Sequence, residues 1–141
     1  MVVLIDTNVV LDILEKRDPF YQSANDVLSM CAAKEIDGYI ALHSISNIFY
    51  ILRKHYSVEN RRRLILGILD FLQVANASHE NVRHALERND FPDFEDCLQD
   101  ECATQNCAEY IITRNIDDFS NSNIPAVTPS DFLENISKKC L

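Results

Sequence analysis

Four short stretches of this chain offer oxygen-bearing side chains. Asp6 closes the apolar run Val2-Val3-Leu4-Ile5; Ser44, Ser46 and Asn47 follow Tyr39-Ile40-Ala41-Leu42; Asp93, Glu95 and Asp96 open a helical stretch; Asn115, Asp117 and Asp118 follow Tyr110-Ile111-Ile112-Thr113. Carboxylates held together raise one another's pKa values and oppose folding, so a cluster of them needs a counter-charge. A hard divalent cation is the usual one. Mg²⁺ takes oxygen ligands, keeps several waters, and is held by one or two protein carboxylates plus substrate phosphate. No cysteine pair has C-x-x-C spacing and no Gly-rich phosphate loop is present, which points away from zinc chemistry and nucleotide hydrolysis.

Each of these residues also has a purely structural use. Asp6 serves equally well as the cap of a helix beginning near Val9. Asp93 suits an N-cap with Asp96 at the third helical position, the pattern of a capping box, and this use is stronger for Asp93 than for Asp96. Asp117 and Asp118 suit a turn before Phe119, and Asn47 suits a solvated helix position. The four histidines, at 43, 55, 79 and 84, are scattered and read as structural.

The elements that must position these groups alternate between two periods. Besides the three apolar runs, weak strands are expected at Gln73–Ala75 and Ala126-Val127. Helical spacing places Ala24, Val27, Leu28, Cys31 and Ala32 on one face, and Ile45, Ile48, Phe49 and Leu52 on another. Further helices are expected from Val58 to about Leu72, Ser78 to about Arg88, Phe94 to about Asn106, and Pro129 to about Ser137. The last carries its own start signal, with Thr128 as N-cap and Pro129 at the first position. Such alternation predicts an α/β fold, a three-layer α/β/α sandwich with a central parallel sheet. In such sheets ligands bind outside the carboxyl ends of the strands, where the four oxygen-rich stretches would meet.

The 141 residues predict one domain over 1–141, of a size that buries roughly two-thirds of its unfolded surface. No apolar run approaches the roughly 20 residues of a membrane span, and the start lacks a basic signal-peptide region, so a cytoplasmic location is expected. Five cysteines without C-x-x-C spacing read as reduced and structural. With 13 Lys+Arg against 22 Asp+Glu, the net charge of −9 excludes nucleic-acid binding by overall basicity. One local exception stands out: Arg53, Lys54, Arg61, Arg62 and Arg63, less Glu59, give residues 53–63 a net +4 on a remainder of −13. This patch suits RNA backbone, and equally a partner or a solvated helix corner.

Three segments together resemble a family. Ile5-Asp6-Thr7-Asn8-Val9-Val10-Leu11-Asp12 is similar to the opening of a PIN domain, as in the ribonuclease toxins of VapBC-type toxin–antitoxin pairs. Asp93-Phe94-Glu95-Asp96-Cys97-Leu98-Gln99 resembles its central acidic helix start, and Thr113-Arg114-Asn115-Ile116-Asp117-Asp118-Phe119 the segment after its fourth strand. They stand in family order over nearly the whole chain. The resemblance implies metal-dependent cleavage of RNA, with Mg²⁺ or Mn²⁺, a homodimer and a small antitoxin partner. It implies that Asp6 and Asp96 hold the main ion, and that Asp118, with Asp93, positions a second ion or the attacking water. Thr113 matches a small hydroxyl residue beside the site, and Asn115 stands where many members place an acid. The departure is Asn47, where the family usually has glutamate and a subgroup carries an amide; in the catalytic set with Asp6, Asp96 and Asp118, it would coordinate or hydrogen-bond as a neutral group.

Two other classes compete with an active ribonuclease. A degenerate PIN module that binds RNA or a protein without cutting is favoured by Asn47 and Asn115. A phosphoacceptor domain with Asp6 as nucleophile is disfavoured, because Asp6-Thr7-Asn8 lacks a second aspartate and no lysine follows a late strand at a suitable place, Lys138 and Lys139 lying too near the C-terminus.

Overall fold

The computed structural model describes residues 1–141. In chain order it runs β1 (Val2–Ile5), α1 (Thr7–Leu14), α2 (Tyr21–Ala32), β2 (Asp37–Ala41), α3 (Leu42–Ile51), α4 (Val58–Leu69), β3 (Gln73–Ala75), α5 (His79–Glu87), α6 (Phe94–Gln105), β4 (Tyr110–Ile112), β5 (Ala126–Val127) and α7 (Pro129–Lys139). Short 3₁₀ turns follow α3 at Leu52–Lys54 and β4 at Ile116–Phe119. The five strands form one sheet in the order β3-β2-β1-β4-β5, and every pair is parallel.

Strand β1 is central, and its side chains alternate between the two faces. Val3 and Ile5, with Ile40 and Ile112, pack under α1, α2, α3, α4 and α7, where Val9, Val10, Val27, Ile48, Ile68 and Phe132 complete the larger core. Leu4, Ala41, Ala75 and Ile111 face the other way, onto Cys102 and Ala103 of α6 and onto Phe119. Three layers result, as the alternation of the sequence predicts. Gly38 of β2 is required by packing: a Cβ there would lie 2.5 Å from Cys31 Sγ and 2.6 Å from Leu72 Cδ2.

Element ends differ from expectation by a few residues. Helix α1 starts at Thr7 rather than near Val9, because Asp6 itself caps it, and α4 stops at Leu69, short of Leu72, where the chain must turn into β3. Leu42 opens α3 instead of closing β2. The strand order also fixes where a crevice forms. From β1 the chain winds outward through β2 and β3, then returns to the other side of β1 as β4, so the loops leaving β1 and β4 diverge.

Candidate active site

Asp6 lies at that divergence, 7% exposed, on the first residue after β1. Its Oδ1 accepts from the Thr7 backbone N–H at 2.8 Å and from Gln99 Nε2 at 3.2 Å, and its Oδ2 accepts from Thr113 Oγ1 at 2.8 Å. The cap and the site are therefore the same side chain. Its pKa is raised, first by burial; hydrogen bonds from Thr113 and Thr7 pull it down, and the charges of Asp118 and Glu95 push it up again.

Asp96 reaches the same place from the first turn of α6. Burial, then the charges of Asp93, Asp6, Asp118 and Glu95, push its pKa up to about 7. Asp93 is the N-cap of α6, accepting from the backbone N–H groups of Glu95 at 2.8 Å and Asp96 at 3.1 Å. Asp96 makes no return bond to the cap, so the capping box is incomplete and its carboxylate stays free. Asp118 is exposed in the turn after β4, and its charge is felt at both Asp6 and Asp96.

The neutral members of the site divide into bonded and unbonded. Thr113, fully buried, also accepts the backbone N–H of Asn115 at 3.0 Å, while the Asn115 side chain is exposed. Ser44 is fully buried on α3, and its Oγ accepts from Thr7 Oγ1 at 2.8 Å and from Gln99 Nε2 at 2.7 Å. Asn47, one turn further along α3 on the same face, is half-buried.

The basic patch separates into parts. Arg53 stacks on the Tyr50 ring and donates to the Tyr50 carbonyl, and Arg61 stacks on Phe49 and donates to the Phe49 carbonyl at 3.0 Å. Arg63 pairs with Glu59 one turn earlier. Of these only Arg61 joins α4 to α3, and Lys54 and Arg62 are exposed.

Three residues that sequence reasoning misses also build the site: Gln99, Asp12 and Arg114. Gln99 sits three residues after Asp96 and so on its side of α6, the only sequence signal it carries. Asp12 is fully buried and bound by Arg114 through two bonds, of 2.6 and 3.2 Å, and Arg114 stacks on Phe20. That pair ties the loop carrying Asn115 and Asp118 to α1.

All donors in the crevice are oxygens of carboxylate, hydroxyl or amide groups, the set a hard divalent cation takes, and none of the chain's ion pairs involves Asp6 or Asp96. No three acidic, histidine or cysteine side chains close around one point tightly enough to hold an ion. The arrangement thus suits an ion held by one or two carboxylates, as Mg²⁺ commonly is.

The PIN domain profile matches residues 2–117. The chain belongs to the PIN domain family. Among curated proteins, Ribonuclease VapC1 of Aquifex aeolicus is 24% identical over 138 residues, covering 94% of this chain and 93% of that protein. Among solved structures, VapC20 of Mycobacterium tuberculosis, described as a sarcin–ricin loop cleaving toxin, superposes with a TM-score of 0.70 at 16% identity, covering 90% of this chain and 99% of that one. A toxin–antitoxin complex from Klebsiella pneumoniae gives 0.66 at 25% identity, with 90% and 97% covered. VapBC2 from Rickettsia felis, bound to a promoter DNA fragment, gives 0.66 at 18%, with 91% and 98% covered. The parallel sheet and helix layers are those of a PIN domain, and the family implies use of a divalent metal. No helix is long and apolar enough to cross a membrane.

Proposed function

We propose that this PIN domain is a metal-dependent endoribonuclease hydrolysing RNA phosphodiester bonds, the toxin of a toxin–antitoxin pair. The observation that carries the reading is the uncompensated carboxylate group of Asp6, Asp96 and Asp118 at the carboxyl edge of the sheet, with Asp96 pushed up to about 7. Asp6 and Asp96 would hold a Mg²⁺ or Mn²⁺ ion, with Asp118 and Asp93 on the flank where water or a second ion is positioned. A divalent ion bound there supplies Lewis acidity, neutralising charge that develops on the phosphate and making water a nucleophile at neutral pH. Thr113 fixes Asp6 through Oδ2. Asn47, half-buried one turn after Ser44, would serve there as a neutral donor or acceptor. Asn115, Lys54 and Arg62 remain available to RNA, while Arg53, Arg61 and Arg63 reach it only by giving up part of their present bonding.

The relatives named as ribonuclease and toxin support this reading, as do the two neighbours solved as toxin–antitoxin assemblies. An open cleft of about 820 Å³ between α3, α4, α5 and α6, lined by Leu42, Ile45, Phe49, Ile65, Leu66 and Val82 among others, supports a protein partner, an antitoxin or a second copy. The reading places the protein in the cytoplasm as one domain over 1–141.

One observation favours a second reading. Asn47 lacks the charge of the glutamate usual in the family, and a module that binds RNA without cutting would need no such charge. Incubating mixed RNA with wild type and Asp6→Asn, with and without Mg²⁺ or Mn²⁺, decides between them. Cleavage by wild type alone, and only with metal, supports the enzyme; retention of RNA by wild type without cleavage supports the module.

A further inference from the structure

We propose that Gln99 is a positioning residue for this reaction, acting on Asp6. The inference rests on reading the acidic crevice as a metal-dependent ribonuclease site. Gln99 is 3% exposed on α6, and its amide nitrogen bridges Asp6 Oδ1 at 3.2 Å and Ser44 Oγ at 2.7 Å. An ionised carboxylate only accepts, so the amide must turn its NH₂ toward Asp6. That orientation leaves Gln99 Oε1 buried with no donor. A buried carbonyl without a partner is destabilising and offsets part of what the bonds to Asp6 and Ser44 contribute. Its own hydrogen-bond satisfaction therefore does not account for the amide.

Its effect on Asp6 does. A carboxylate has roughly four lone-pair positions. The Thr7 N–H and Gln99 Nε2 occupy Oδ1, and Thr113 Oγ1 occupies one position on Oδ2, leaving a single open position on Oδ2. Asp6 is thereby set to offer one oxygen in one direction. The same amide joins three segments that bring the site together: α6 with Asp96, the end of β1 with Asp6, and α3 with Ser44 and Asn47. Outer hydrogen bonds of this kind orient metal ligands, and removing one costs about tenfold to a hundredfold in metal affinity or activity.

The test compares full-length wild type, Gln99→Met and Ser44→Ala by calorimetric titration with MnCl₂, by kcat and KM on RNA, and by thermal unfolding. Gln99→Met is expected to bind Mn²⁺ about tenfold more weakly and to lose about tenfold in kcat, with KM changed less than twofold. Ser44→Ala, which removes only the second anchor of the amide, is expected to weaken Mn²⁺ in the same direction by a smaller factor. A merely structural role moves the unfolding temperature and leaves both Mn²⁺ affinity and kcat of the folded protein unchanged; that result overturns the proposal. Should Gln99→Met fail to fold, Ser44→Ala decides, and wild-type Mn²⁺ affinity in it overturns the proposal equally. A wild type that binds Mn²⁺ in a Gln99-dependent way but cuts no RNA overturns the ribonuclease reading and leaves the role of Gln99 standing. A wild type that binds no Mn²⁺ overturns both.

Discussion

Helix α6 carries two groups of acids that the fold treats in opposite ways. At its start, Asp93, Glu95 and Asp96 face Asp6 and Asp118 with no cation of the chain among them, and Asp6 and Asp96 are both pushed up in pKa. One turn further on, Asp100 and Glu101 are almost fully buried, and Arg88 donates to each at 2.8 Å while also chelating Asp90 at 3.0 Å. Burial pushes Glu101 up, yet hydrogen bonds from Arg88, Asn81 and His84 together outweigh it and leave its pKa lowered. Ser122 closes the remaining side by donating to Asp100. The second group is complete as it stands. The difference teaches that density of acids does not mark a site; lack of compensation does.

The largest effect expected is at the uncompensated end. Asp6→Asn should abolish metal-dependent RNA cleavage while leaving the metal-free protein as stable or more stable in urea. The amide oxygen keeps the α1 cap and one repelling charge is removed. Equal cleavage by the two purified proteins would place the activity elsewhere.

Arg88→Met attacks the compensated end. It leaves Asp100 and Glu101 buried without their cation, and breaking such a pair costs about 3–5 kcal/mol, which a denaturation curve reads directly. A loss below about 1 kcal/mol would mean that the two acid groups are not different in kind.

The pH dependence sharpens the contrast. A carboxyl group whose folded pKa stands near 7, against an unfolded value of 3.8, binds its proton more tightly when folded, so stability falls as pH rises from about 4 to 7 and the penalty is complete above that. For a half-exposed group screened by solvent, about 1–2 kcal/mol is expected. Wild type without metal should therefore lose that much more stability than Asp96→Asn between pH 4.5 and 8, and saturating Mn²⁺ at pH 8 should restore it. Parallel pH curves for the two proteins would remove Asp96 from the cluster.

Adding a charge tests the site from the other direction. If Asn47 faces the crevice, Asn47→Glu should tighten Mn²⁺ about thirtyfold, the scale of one unit charge about 4 Å from a divalent ion in a solvated site. It should lower the Mn²⁺ concentration for half-maximal cleavage accordingly; unchanged titrations would place residue 47 outside the site. The smallest effect belongs to the exposed cations. Lys54→Ala and Arg62→Ala should each lower the salt dependence of RNA binding by about 0.7 for every phosphate no longer neutralised, with little change in stability. An unchanged slope would leave the patch to a protein partner.

How much of this was legible in the chain follows from the range of the forces involved. Strands and helices were readable because hydrophobic period and capping are local: Thr128-Pro129 starts α7 and Ser78 starts α5 where their neighbours require it. Gln99, Asp100 and Glu101 were not readable as buried, because α6 has no clean apolar face and these three enter the interior only with partners from Asp6, Ser44, His84, Arg88 and Ser122. Asp12 is another such case, since its partner Arg114 lies 102 residues away.

The amino-acid sequence by itself determined the alternation of strand and helix, and so a parallel sheet whose carboxyl edge collects Asp6, Asp96 and Asp118. Only the tertiary structure decided which acids would be left without a counter-charge. Compensation is a sum over groups brought together from distant segments, and a charge has no partner until the chain has closed around it.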